Sequence, residues 1–196
     1  KRVVTKGYAS IRQYHPGMLE HVKPSNLGSL TYGKDSLQYK ILSHALKESV
    51  PLYGFNERAI VHSLNELGYS STMLSVIGSS NPPSFLHSSP AAMELIKFHL
   101  VDKRLRLSAG IPTEAATEEL PTLQDLLLQR LEMDVPIANH LSQLLSQLAI
   151  PGPFLLNTSL PELHSLSDDM IYFSREKDNN DFAWYTKRVA VSCAYV

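Results

Sequence analysis

The sequence predicts an all-α fold, on three observations. Apolar residues recur at helical spacing through most of the chain. No stretch alternates apolar and polar residues long enough to make a strand. Helix-starting and helix-stopping residues bracket each periodic run. Residues 1–34 hold Gly7, Pro16, Gly17, Pro24, Gly28 and Gly33 and read as an arm. Asp35 with Gln38 three positions on is a capping-box pattern. It opens a helix with the stripe Leu37, Ile41, Leu42, Ala45 and Leu46, ending near Tyr53-Gly54. Asn56 caps a second helix carrying Ala59, Ile60, Leu64 and Leu67, and Gly68 stops it. Ser70 or Ser71 caps a third, short helix through Met73, Leu74 and Ile77, ended by Gly78.

Residues 79–90 are rich in Ser, Asn and Pro and form a loop. Ser89-Pro90 is a good helix entry, because proline suits the first helical position. That helix runs through Met93, Ile96 and Leu100 to about Ser108. After a loop at 110–121, Thr122 starts a leucine-rich helix with Leu123, Leu126, Leu127 and Leu131. Pro136 interrupts it or opens the next, which carries Leu141, Leu144, Leu145 and Leu148. Pro161 opens another, with Leu163, Leu166 and Met170. Asp178-Asn179-Asn180 is the turn before the last helix. There are no internal repeats. Three units follow: an arm at 1–34, a helix-turn-helix-like head at 35–78, and a helical bundle at 89–196.

At 43% hydrophobic the 196 residues can bury a real core. Lys+Arg 18 against Asp+Glu 19 is not the balance of a nucleic-acid binder. The single cysteine, Cys193, rules out an internal disulfide framework and fits a reducing compartment. The first acid is Glu20, preceded by Lys1, Arg2, Lys6 and Arg12, a start that also describes the remainder of a mitochondrial transit peptide. The chain is expected to be a fragment at both ends. Val135 to Pro161 carries no charged residue, yet Pro136, Pro151, Gly152 and Pro153 break it, so it reads as soluble helices rather than a span.

No catalytic, metal or cofactor site is expected. None of the eight histidines pairs with another at metal-ligand spacing, and Glu162 and His164 are two apart, the wrong spacing for one helical face. Glycine-rich phosphate loops and nucleophile elbows are missing too. The three helices at 36–77 follow the helix-turn-helix plan. DNA reading needs polar or basic side chains on the second helix of the pair, to reach bases and phosphates. Residues Ser71 to Ile77 hold no Lys, Arg, Asn or Gln, so nucleic acid is not an expected partner. The leucine stripes at 122–149 are a packed core or the wall of a ligand pocket, and periodicity alone does not choose.

The segment Asp181-Phe182-Ala183-Trp184-Tyr185-Thr186-Lys187-Arg188 holds the only Trp. Asp181 can cap a helix there. Trp184, Arg188, Val191 and Tyr195 then share one face, and Phe182, Tyr185, Val189 and Cys193 form a second apolar stripe. One side suits the core. The other needs an outside partner: another subunit, a protein or a lipid.

From about Leu37 to the last residue, the helix-turn-helix head with Tyr53-Gly54-Phe55 and Gly68-Tyr69-Ser70 resembles the TetR family of regulators. Joined to Asp168-Asp169-Met170 and the Trp segment, it resembles more specifically the family of mitochondrial ubiquinone (coenzyme Q) biosynthesis accessory proteins, protein nine of that pathway. The resemblance implies a TetR-like fold that has given up DNA binding and become a lipid-binding homodimer. It implies a peripheral place on the matrix side of the inner membrane, and binding of phospholipids and isoprenoid quinone intermediates. The implied protein partner is the demethoxyubiquinone hydroxylase, a di-iron monooxygenase, within the ubiquinone biosynthesis complex. The family's docking patch corresponds to Met170, Asp181, Trp184 and Tyr185, and its headgroup-side basic residue to Arg188. Leu127, Leu131, Leu144 and Leu148 are then the expected lipid-cavity residues. Two departures stand out: the turn at 174–180 is about one residue longer than the family's, and the family's C-terminal amphipathic helices are not in this sequence. The alternative is a TetR-type DNA-binding regulator with a small-molecule pocket.

Overall fold

The computed structural model describes residues 30–81, 88–109, 111, 119–176 and 183–196. Every regular element among them is helical, so the fold is all-α. Helix α1 (Leu37–His44) passes through a π-helical turn (Ala45–Ser49) into α2 (Val50–Tyr53). Its cap is Ser36, not the expected Asp35–Gln38 box: Ser36 Oγ accepts the Tyr39 N–H at 3.1 Å. Gln38 turns away and donates to the Ile77 carbonyl at 3.3 Å, tying α1 to the end of the head. Helix α3 (Glu57–Glu66) starts at Asn56, whose Oδ1 accepts the Ala59 N–H. Helix α4 (Met73–Ile77) has no side-chain cap; Ser70 Oγ accepts from Thr72 N–H instead, short of the helix.

Helix α5 (Pro90–Ala109) is the axis of the molecule. From Ala91 to His99 it is buried all round, so it shows no polar face to water. Its carboxylate Glu94 accepts from Ser80 Oγ (2.6 Å) and Asn81 Nδ2 (2.7 Å), which anchors the head to its first turns. One core joins Ile41, Leu42, Phe55, Ile60, Leu64 and Ile77 of the head to Leu95, Ile96, Phe98 and Val101 of α5. The end of the arm belongs to it as well, with Leu30 buried and Tyr32 stacked on Phe98.

Helix α6 (Leu123–Glu132) opens with a full capping box: Thr122 Oγ1 accepts from Asp125 N–H, and Asp125 Oδ2 accepts from Thr122 N–H. Pro136 sits in a 3-10 turn (Val135–His140) that leads into α7 (Leu141–Ala149). A π-helical turn (Leu155–Ser159) precedes α8 (Leu160–Phe173), and α9 (Ala183–Tyr195) closes the described chain. Pro161 stands in the first turn of α8, as its sequence setting suggests, and the π-helical turn before it makes the helical path continuous. Both π-helical turns end two residues before a proline, Ser49 before Pro51 and Ser159 before Pro161. A proline inside a helix lacks a donor and its ring crowds the carbonyl four residues back. Widening the preceding turn relieves that crowding without breaking the helix. A second core gathers Leu107 of α5, Leu126 of α6, Leu166, Met170 and Ile171 of α8, and Val191 of α9. None of the described helices is long and apolar enough to cross a membrane.

The head is fastened to α7 at Gly54. Gln143 Oε1 accepts the Phe55 N–H at 3.1 Å, and Gln143 Nε2 donates to the Phe55 carbonyl at 3.3 Å. Gly54 has φ 75° and ψ −169°, a region open essentially to glycine. A Cβ there would stand 2.4 Å from Gln143 Oε1 and 2.9 Å from His140 Nδ1. Backbone strain and overpacking should each cost about 1–3 kcal/mol. Gly54→Ala is therefore expected to lower unfolding stability in urea by about 3 kcal/mol, and a loss below about 1 kcal/mol would contradict this fit.

Candidate functional site

The leucine stripes do not close on one another. Between α5, α6, α7, α8 and the end of α9 they leave a cavity of about 430 Å³. Its walls are Leu100, Leu131, Leu141, Leu144, Leu145, Leu148, Leu155, Leu160, Leu163 and Leu166. On α7 the positions 141, 144, 145 and 148 fall on one helical face, which is why a single helix supplies four of them. Leu144 is buried, whereas Leu131, Leu145 and Leu160 are 43%, 43% and 47% exposed. An apolar wall that reaches solvent is what a ligand pocket has and a packed core lacks. The π-helical turn contributes Leu155 and Ser159 to this lining.

The cavity also has a polar part, formed by His99, Arg104, Arg130, Asp134, Glu162 and Tyr195. The two carboxylates there, and Asp169 beside them, face basic side chains of α5. Lys103 pairs with Asp134. Arg104 reaches Glu162 through Nε and Asp169 through an Nη atom, both at 3.1 Å. Burial pushes the Asp169 carboxyl up to about 7, against the pull of the Arg104 charge. His99 is held well below its usual value by burial and by the Lys103, Arg130 and Arg106 charges, so it is neutral at physiological pH. Arg130 is buried, with its guanidinium carbon 5.4 Å from the centre of the Tyr195 ring. Among the described residues no group of three or more His, Cys, Asp or Glu could hold a metal ion.

Of the leucines expected to line a cavity, Leu131, Leu144 and Leu148 do so. Leu127 does not: it turns to the second core. Arg188 does not reach the cavity lining either. It is 3% exposed, and its Nε donates to Asp168 Oδ1 at 2.6 Å, which locks α9 to α8. Met170 is 0% exposed, in the second core, so within this chain it is not part of an outer surface. Its i, i+4 relation to Leu166 puts both on the inward stripe of α8. Tyr185 is 70% and Val189 61% exposed, and Cys193 is exposed as well. Thus α9 buries the stripe holding Arg188 and Val191 and presents the other outward. Asp181 and the Trp184 side chain lie outside the described residues. The polar cavity residues went unread in the sequence. Arg130 had one local signal, being a lone charge four residues after Leu126 on the inward stripe of α6.

Comparison with known proteins places these features in a family. A family model described as COQ9 matches residues 156–196, which take in part of the cavity wall and all of α9. The chain is 61% identical over 191 residues to the mitochondrial ubiquinone biosynthesis protein COQ9 of Saccharomyces cerevisiae, covering 97% of this chain and 74% of that protein. It is 51% identical over 185 residues to the protein of the same name from Eremothecium gossypii, covering 94% of this chain and 73% of that one. With the Homo sapiens protein of that name it shares 30% identity over 162 residues, 83% of this chain and 49% of that protein. The chain belongs to the COQ9 family of mitochondrial ubiquinone biosynthesis proteins.

Proposed function

We propose that this chain is a non-catalytic lipid-binding accessory protein of ubiquinone biosynthesis. It binds isoprenoid quinone intermediates or phospholipids and presents them to the demethoxyubiquinone hydroxylase. The observation that carries this reading is the leucine-walled cavity of about 430 Å³ with an apolar, solvent-reaching rim. A polyprenyl chain is poorly soluble, and sheltering it against leucine replaces water contact with apolar contact. The exposed α9 stripe of Tyr185 and Val189 supports a protein-docking role for that helix. The reading places the protein peripherally on the matrix side of the inner membrane, as a homodimer. DNA regulation has less support, because α4 carries no basic or amide side chain.

Mass spectrometry of lipids extracted from the purified chain, beside a matched control protein, tests the binding half. Enrichment of isoprenoid quinones or phospholipids is the expected result, and lipid content equal to the control would remove the reading. The docking half is tested by Trp184→Lys. Hydroxylase co-purification should be lost while far-UV circular dichroism is unchanged. Undiminished co-purification would exclude Trp184 from the interface.

A further inference from the structure

The polar part of the cavity contains two groups that no described residue satisfies. Arg130 is 1% exposed and lines the cavity, yet its Nε and Nη1 atoms have no hydrogen-bond partner among the described residues. His99 lines the same cavity, and its buried Nε2 has none among them either. The carboxylates nearby are engaged elsewhere. Asp134 is paired with Lys103 and stands 3.7 Å from His99 Nε2, beyond hydrogen-bond reach. Glu162 and Asp169 both face Arg104. The Tyr195 ring near Arg130 attracts its charge but accepts none of its in-plane N–H donors. A buried guanidinium with open donors is costly, and such groups are normally paired.

We propose that this cavity takes an amphiphile whose apolar chain ends in an oxyanion, a carboxylate or phosphate, gripped by Arg130 Nε and Nη1 with His99 Nε2 as a further donor. The proposal rests on the lipid-binding reading and adds the chemistry of the head to it. The permanent charge of the guanidinium and its two open donors favour an anion over a neutral carbonyl. Arg104 faces Glu162 and Asp169, and Lys103, whose ammonium burial brings down to about 6, holds Asp134. Arg130 is thus the cation at the polar part of the cavity whose Nε and Nη1 donors stay open among the described residues. Its planar fork suits the two oxygens of a carboxylate or phosphate. Neutral His99 can carry its proton on Nε2 and point it at the same oxygen.

Calorimetric titration of the delipidated chain with farnesyl phosphate, farnesol and inorganic phosphate separates the parts. Charge-assisted hydrogen bonds of this kind should make farnesyl phosphate about ten- to hundredfold tighter than farnesol. Inorganic phosphate alone should bind far more weakly than farnesyl phosphate, since it lacks the chain. Arg130→Gln should abolish the preference for farnesyl phosphate over farnesol. The melting temperature of the unliganded variant should change little, because the Nε and Nη1 donors it removes have no hydrogen-bond partner among the described residues and only the Tyr195 ring contact is lost. Equal affinity of the wild-type chain for farnesol and farnesyl phosphate would overturn the proposal while leaving the lipid reading intact, and it needs no variant. A preference that survives Arg130→Gln would overturn it too, as would inorganic phosphate binding as tightly as farnesyl phosphate. Failure of both isoprenoids to bind would remove the lipid reading and this inference together.

Discussion

Arg188→Leu should destabilise the delipidated chain by about 3–5 kcal/mol, the range seen when one member of a buried ion pair is removed. Arg188 and Asp168 are each 3% exposed, and their 2.6 Å contact joins α9 to α8. Deleting the guanidinium leaves the Asp168 carboxylate in the second core without that cation, where desolvation outweighs what remains. The effect should spread to the cavity, since Tyr195 and Val196 at the end of the same helix form part of its lining. A second variant separates the pair from the residue. If the loss comes from a stranded charge, Arg188→Leu combined with Asp168→Leu should recover most of it, because apolar replacement of a whole buried pair is often neutral. Urea unfolding of both variants, stripped of lipid, is the measurement. A loss below about 1 kcal/mol for Arg188→Leu would mean that this residue acts on a ligand headgroup rather than on the fold.

That result bears on what sequence alone could assign. Helix positions were legible because local rules fix them: Asn56 and Thr122 cap where their side chains can reach the next turn. The prolines were legible for the same local reason, Pro90 and Pro161 standing in the first turns of their helices. The π-helical turn that leads into Pro161 was not, because nothing local announces it. The two stripes of α9 were visible, but which faces inward depends on Asp168, twenty residues earlier in sequence and on another helix. Met170 shows the reverse case. Its spacing from Leu163 and Leu166 already put it on the inward stripe, and family resemblance had placed it outside. Least legible was the cavity. A leucine stripe reads the same whether the facing helix meets it or stands off. Its polar part brings Arg130 of α6 to His99 and Arg104 of α5, with nothing local to announce the meeting.

Filling the cavity from one wall should therefore abolish lipid retention with little harm to the fold. Leu148 lines it from α7, packs on the first core with part of its side chain and is only half-buried, so a larger side chain there can grow into the open volume on its other side. Leu148→Trp is expected to lower co-purifying lipid at least about tenfold, as a side chain occupies the space the apolar chain needs. The melting temperature of the delipidated variant should hold or rise. Empty apolar volume costs the unliganded protein dispersion contacts that the indole ring would supply. Leu128→Trp is the matched control, because Leu128 is 50% exposed on α6 and lies outside the cavity lining. It adds the same indole without touching the cavity, so its lipid content should equal that of the wild-type chain. Quantitative lipid extraction beside differential scanning calorimetry reads both variants. Full lipid content in a folded Leu148→Trp chain would mean that lipid is held elsewhere, and the leucine walls would then be a loosely packed core. A lower melting temperature together with lost lipid would mean instead that the walls close in solution around a smaller space, which overpacking distorts.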